Sequence, residues 1–174
     1  MTQNNETSKG RKNSISPWNH IHICDMKQRK DWGILLLLAK DLDEGGISFH
    51  IDGKAMIFLH GLEFPLDKIC VTFKWNEEER VRKFFGSSSE TKSNGHTTFK
   101  YFDTAYQDYK IRCMFYDRCV DDVSDEILQK NAEPIDVDGQ IIMAQTLEFY
   151  LEYATEKDEL YNQVKDFVSA RQNL

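Results

Sequence analysis

The feature that most constrains this chain is a switch of hydrophobic period within one short stretch. Trp32, Leu35, Leu36, Ala39 and Leu42 recur at helical spacing, whereas Ile47, Phe49 and Ile51, just past Gly45-Gly46, alternate. A period of 3.6 followed by a period of 2 predicts a helix, a glycine stop and a strand. An all-helical bundle and an all-β sandwich are both excluded by that juxtaposition.

The same interleaving continues along the chain. A helix is expected from Asp25 to about Leu42, then a strand over Ile47–Ile51, a turn at Asp52-Gly53 and a short buried helix over Lys54–Leu59. A second strand follows over Ile69–Trp75, then a helix over Glu77–Phe85 capped by Asn76, whose acidic start and basic end suit the helix dipole. Ser87–Gly95 reads as a loop, Thr97–Phe102 and Tyr109–Tyr116 as strands, and Val123–Lys130 as a modest helix. Pro134–Met143 reads as a hairpin turned by Asp138-Gly139, and Thr146 to about Ala170 as helix with a break near Thr155. The fold class expected is α+β, a mixed sheet flanked by helices with a helical C-terminus.

Length and charge bound the rest. At 174 residues the chain suits one ordinary domain, taken as 18–174 behind a disordered polar and basic tail over 1–17. Its longest apolar run, Gly33 to Ala39, is far short of the roughly 20 residues that cross a bilayer, and no signal peptide is apparent. Four cysteines in a chain of this size require no disulfide framework, so a cytoplasmic protein is expected. Residues 1–30 carry a surplus of four positive charges, which leaves −11 on the remainder of a chain whose net charge is −7. An acidic body gives no strong nucleic-acid signal, because nonspecific binding rests on Lys and Arg against phosphate.

The order of pieces resembles the minimal nucleotidyltransferase superfamily, which includes antibiotic nucleotidyltransferases and the nucleotidyltransferase-type partners of toxin–antitoxin systems. The resemblance is carried by a helix, a glycine pair, a strand ending at Asp52-Gly-Lys-Ala55, a short helix, His60-Gly-Leu62 and a strand opening Pro65-Leu-Asp-Lys-Ile-Cys-Val71. The tail pieces Ile135-Asp-Val-Asp-Gly-Gln-Ile-Ile142, Gln145–Leu151 and Lys157-Asp158 extend it over about residues 26–168. It implies a nucleotidyltransferase-like sheet, and a Gly-Gly or Gly-Ser pair, an Asp-x-Asp and a third carboxylate on neighbouring strands. Such carboxylates hold two divalent ions that clamp phosphates and activate the attacking oxygen.

Mapped on that pattern, this chain lacks the carboxylates. Strand alternation turns Ile69, Val71 and Phe73 one way and Lys68, Cys70 and Thr72 the other, so Asp-x-Asp falls on Lys68-Ile69-Cys70. The third position, within Lys110-Ile-Arg-Cys113, falls on Arg112, and of the glycine pair only Gly53 remains, after Asp52. Two cations and a thiol do not suit Mg²⁺, although Gly53, Lys54, Lys68 and Arg112 would suit a phosphate. The resemblance therefore implies a pseudoenzyme with no cofactor, acting on a protein partner or a nucleotide-like ligand in an antitoxin, immunity or phage–host conflict role. The alternative is an active enzyme, using Mg²⁺ and NTP, that transfers a nucleoside monophosphate to a small molecule or protein. Its carboxylates would be displaced ones: Asp67 through a slipped register, or Asp52, Asp103 and Asp108.

Other constellations carry less. His20, His22 and Cys24 share a face of an extended segment at a tolerable metal spacing, with His50 or His60 as a further ligand, but an edge strand with polar residues outward explains them as well. Cys70 near His50 would make a nucleophile and base, against the simpler reading of a buried thiol as a small hydrophobe. Lys54 lacks the glycine spacing of a phosphate loop. Phe99 and Tyr101, and Tyr109, Ile111, Cys113 and Phe115, alternate as core faces do, in preference to a base-stacking platform. Phe149, Tyr150, Tyr153 and Tyr161 read as core or as an interface.

Overall fold

The computed structural model of the protein describes residues 20–21, 29–93, 99–116 and 128–173. Within them the chain runs β1 (His20–Ile21), α1 (Arg29–Glu44), β2 (Phe49–Asp52), α2 (Gly53–Leu59) and β3 (Lys68–Lys74). Then follow a 3₁₀ turn at Trp75–Glu77, α3 (Glu78–Phe85), β4 (Lys92–Ser93), β5 (Phe99–Tyr106) and β6 (Tyr109–Tyr116). The hairpin β7 (Ala132–Val137) and β8 (Gln140–Gln145) leads to α4 (Leu147–Tyr153) and α5 (Tyr161–Gln172).

The strands form one mixed sheet in the order β1-β7-β8-β2-β3-β6-β5-β4. β2 runs antiparallel to β3 and parallel to β8, and β3 runs parallel to β6. Phe49 and Ile51, Ile69, Val71 and Phe73, and Ile111, Cys113 and Phe115 are all buried on one face. Against that face lie α1, through Trp32, Leu35, Leu38, Ala39 and Leu42, and the almost wholly buried α2. Trp32 and Phe58 meet at 4.5 Å between ring centroids, so the two helices share one core. The hydroxyls of Tyr106 and Tyr109 donate to Asp41 and Asp31, tying α1 to the β5–β6 hairpin.

Local sequence explains the joints. α1 ends as Gly46 takes φ +64°, with Ile47 N–H donating to Leu42 O at 3.0 Å. Asp138 and Gly139, at φ 49° and 89°, close the β7–β8 hairpin in the doubly positive turn that such a pair favours. The C-terminal helical region does break, because Thr146 caps α4 by accepting from Phe149 N–H and the chain then leaves the helix at Ala154.

Three expectations need correction. Asn76 does not cap α3: the chain leaves β3 through a tight 3₁₀ turn, Asn76 lies inside it, and Glu77 precedes the helix without a side-chain cap bond. Leu128–Lys130 form a turn, not the end of a helix, and the rest of the helix expected over 123–130 lies outside the described residues. Phe99 and Tyr101 are not on the core face. They pair with Tyr116 and Met114, whereas Phe102 pairs with buried Cys113. The strand is longer than expected, and its phase puts Phe102 inward and its two aromatic neighbours outward.

Candidate functional site

The sheet's other face carries the site, and the strand register builds it. Asp52 on β2 pairs with Cys70 on β3, Cys70 with Arg112 on β6, and Arg112 with Asp103 on β5. Adjacent strands show the same face at paired positions, so these four side chains make one row across the sheet. Lys68 and Thr72 flank Cys70 on the same side, two residues away in each direction.

Each member has a definite local partner. Gly53 follows Asp52 at φ +60°, a left-handed conformation that favours glycine, and it packs beside Cys70. Asp52 accepts from Gly53 N–H at 2.7 Å through Oδ1, and from Thr72 Oγ1 at 3.2 Å and Gln145 Nε2 at 3.4 Å through Oδ2. Arg112 grips Asp103 with two bonds, Nε to Oδ1 at 2.7 Å and Nη2 to Oδ2 at 3.0 Å. Its guanidinium lies 4.3 Å from the centre of the Tyr101 ring. The Arg112 hydrogen bonds hold the Asp103 carboxyl below its usual range.

This row does not fit a pair of Mg²⁺ ions. A hard cation needs several oxygen ligands at one point, and among the described residues no group of three His, Cys, Asp or Glu gathers to hold a metal. Asp67 is exposed just before β3, whose pairing with β6 runs unbroken from Lys68–Lys110 to Lys74–Tyr116, with no bulge to swing it inward. Asp108 is exposed in the turn between β5 and β6, and Asp103 is committed to Arg112. Only Asp52 of the displaced carboxylates stands beside Gly53.

The cationic set is also divided. Lys68 is half-buried at the edge of the row, but Lys54 is engaged by Glu159 at 3.3 Å, ahead of α5. Cys70 has its thiol pKa pushed up by burial, which disfavours the thiolate a nucleophile needs. His50 pairs with Thr72 and not with Cys70, and its Nδ1 lies 2.9 Å from Leu128 O. His60 is likewise a structural group, with Nε2 at 2.8 Å from Gln145 O and its pKa lowered to about 4 by burial. Cys113 lies on the core face. Of the other metal candidates, His22 and Cys24 lie outside the described residues, as does the side chain of His20.

Beside the Asp52 end of the row opens a cavity of about 690 Å³. His50, Asp52, Thr72 and Gln145 line it from the sheet, Tyr116 from the end of β6, and Phe149, Tyr150 and Tyr153 from α4. Burial and the neighbouring Asp158 raise the Tyr150 pKa, so its phenol remains a neutral O–H. The aromatic cluster on α4 was visible in the sequence, but its partners Thr72, Tyr116 and Gln145 were not. They converge only because β3, β6 and β8 are brought together around β2, and no spacing within any one strand announces it.

No protein-family model matches the chain, and no curated protein does. Solved structures do. A candidate nucleotidyltransferase from Thermotoga maritima superposes with a TM-score of 0.57 at 14% identity, over 87% of this chain and 94% of its own. The lincosamide antibiotic adenylyltransferase LnuA, solved with lincomycin bound, gives a TM-score of 0.53 at 12% identity, over 78% of this chain and 92% of its own. With its glycine turn, strand order and helical C-terminus placed as described, this chain has the nucleotidyltransferase fold.

Proposed function

We propose that this protein works by binding and has lost metal-dependent nucleotidyl transfer. The supporting observation is the row Asp52–Cys70–Arg112–Asp103, in which the only basic member is tied bidentately to a carboxylate. Two-metal catalysis uses carboxylates at such positions to concentrate positive charge on the phosphates. Here a thiol of raised pKa and a neutralised guanidinium occupy them, and Asp52 already accepts three hydrogen bonds. An unpaired guanidinium on a partly covered sheet face would be costly, so the Asp103 partner explains how Arg112 is tolerated there. An antitoxin, immunity or phage–host conflict role belongs to this reading by analogy of fold alone.

The test is a transfer assay with ATP, GTP, CTP and UTP in Mg²⁺, reading pyrophosphate release, beside calorimetric titration with and without Mg²⁺. No release, with any nucleotide binding independent of Mg²⁺, is expected. Mg²⁺-dependent release that disappears in Asp52→Asn would overturn the proposal in favour of an active enzyme with displaced carboxylates.

A further inference from the structure

We infer that the cavity between the sheet and α4 is a binding site for a neutral aromatic small molecule that carries no phosphate. The first observation is that the polar groups on its sheet wall are engaged with one another. Asp52 accepts from Gly53 N–H, Thr72 Oγ1 and Gln145 Nε2, so Thr72 and Gln145 both donate into the wall itself. His50 is anchored there by Nδ1, 2.9 Å from Leu128 O. On the α4 side the Tyr150 hydroxyl is hydrogen-bonded to Asp158. A charged head group entering here sheds water and meets partners already in use, which disfavours it. Nor is there a cradle for phosphate, since Lys54, Lys68 and Arg112 do not line the cavity.

The second observation is the ring content of the remaining lining. Phe149 and Tyr153, one turn apart on α4, meet at 4.6 Å between centroids with their planes tilted by 50°. Tyr116, at the end of β6, is backed by Phe99 at 4.9 Å, and Tyr150 joins it in the lining. Rings set this way favour another ring, offset or edge-on, beyond the area it covers. Leu128 and Ala154 add apolar surface. Tyr153 is 70% exposed, so it offers ring surface that a ligand would remove from water. Lys130 and Asp158, both exposed, put one charge of each sign in the lining, so the mouth has no net pull on an ion. A volume of about 690 Å³ is in the range of small-molecule sites.

This rests on reading the protein as a binding protein, and its test is run without nucleotide or metal, so the two fail on different measurements. The probes are 2-naphthylmethanol, 2-naphthoate, 2-naphthylmethylammonium and the saturated decahydro-2-naphthylmethanol. They are titrated into the full chain by calorimetry, with proton spectra of the tyrosine and phenylalanine rings recorded alongside. The aromatic alcohol is expected to bind about fivefold or more tighter than either charged probe, and about threefold or more tighter than the saturated alcohol. Its ring current should shift the Phe149 and Tyr153 resonances. Tyr153→Ala, at an exposed position, should weaken the aromatic alcohol about threefold or more, and Tyr153→Phe should restore it. Each of the following would overturn the inference: no binding of the aromatic alcohol, a charged or saturated probe binding as tightly, full affinity in Tyr153→Ala, or shifts confined to rings outside the cavity.

Discussion

Replacing Arg112 by methionine separates a structural cation from a ligand-ready one. The Arg112–Asp103 pair is bidentate at 2.7 and 3.0 Å, but its side chains are 29% and 44% exposed, so water screens it. Exposed pairs couple by about 0.2–1 kcal/mol, and two-bond geometry argues for the upper end, about 1 kcal/mol. The guanidinium over Tyr101 adds about 0.5–1 kcal/mol. Methionine keeps most of the apolar stem, so the net loss for Arg112→Met is about 1.5–2 kcal/mol. For a chain of 174 residues that lowers Tm by about 3–8 °C.

The assay is urea unfolding of wild type, Arg112→Met, Asp103→Asn and the double variant, giving a coupling energy near 1 kcal/mol. That coupling should shrink in 1 M salt, where the screening length is about 3 Å. The pH sign follows from Asp103. Its folded pKa lies below the unfolded value of about 3.9, so its contribution is complete above that value and is lost as pH falls through the folded pKa. Additive single variants, with coupling within about 0.3 kcal/mol of zero, would refute the reasoning and leave Arg112 free for a phosphate.

Gly53→Ala should destabilise by about 1–2 kcal/mol in urea unfolding, because alanine would be held in the left-handed region at φ +60°. His60 is neutral in the folded protein, with a pKa of about 4 against about 6.5 unfolded, so its contribution is complete above pH 6.5 and is lost as pH falls towards 4. Stability should drop on the order of 1–2 kcal/mol between pH 7 and 5 through this group, and His60→Asn should flatten that slope. Iodoacetamide at pH 8 should label Cys70 in the folded protein about tenfold or more slowly than in urea, since burial raises its pKa; equal rates would restore it as a nucleophile candidate. Phe115→Ala should cost about 3–5 kcal/mol, because the ring is fully buried between Phe73 and Phe102.

Local periodicity was enough to place α1, α2, β3, the Asp138-Gly139 hairpin and the break before α5, because each is set by short-range spacing, a cap or a turn residue. It was enough, too, to put Lys68 and Cys70 on the face opposite Val71, since strand alternation is a property of the backbone. Phase failed at Phe99 and Tyr101: a strand of aromatics on both faces has no preferred side until Cys113 and Arg112 select one through register. The row Asp52–Cys70–Arg112–Asp103 likewise belongs to pairing between four strands that lie far apart in the chain. Which carboxylate would neutralise Arg112, and that Asp103 on β5 does so in place of Asp52 or Asp67, was decided there. So was the cavity, whose acceptors on β2, hydroxyl on β3 and aromatic wall on α4 meet only when β8 and α4 close beside β2. Sequence determined which side chains share a face; tertiary structure decided which of them share a site, because register and packing act across chain separations that no local pattern encodes.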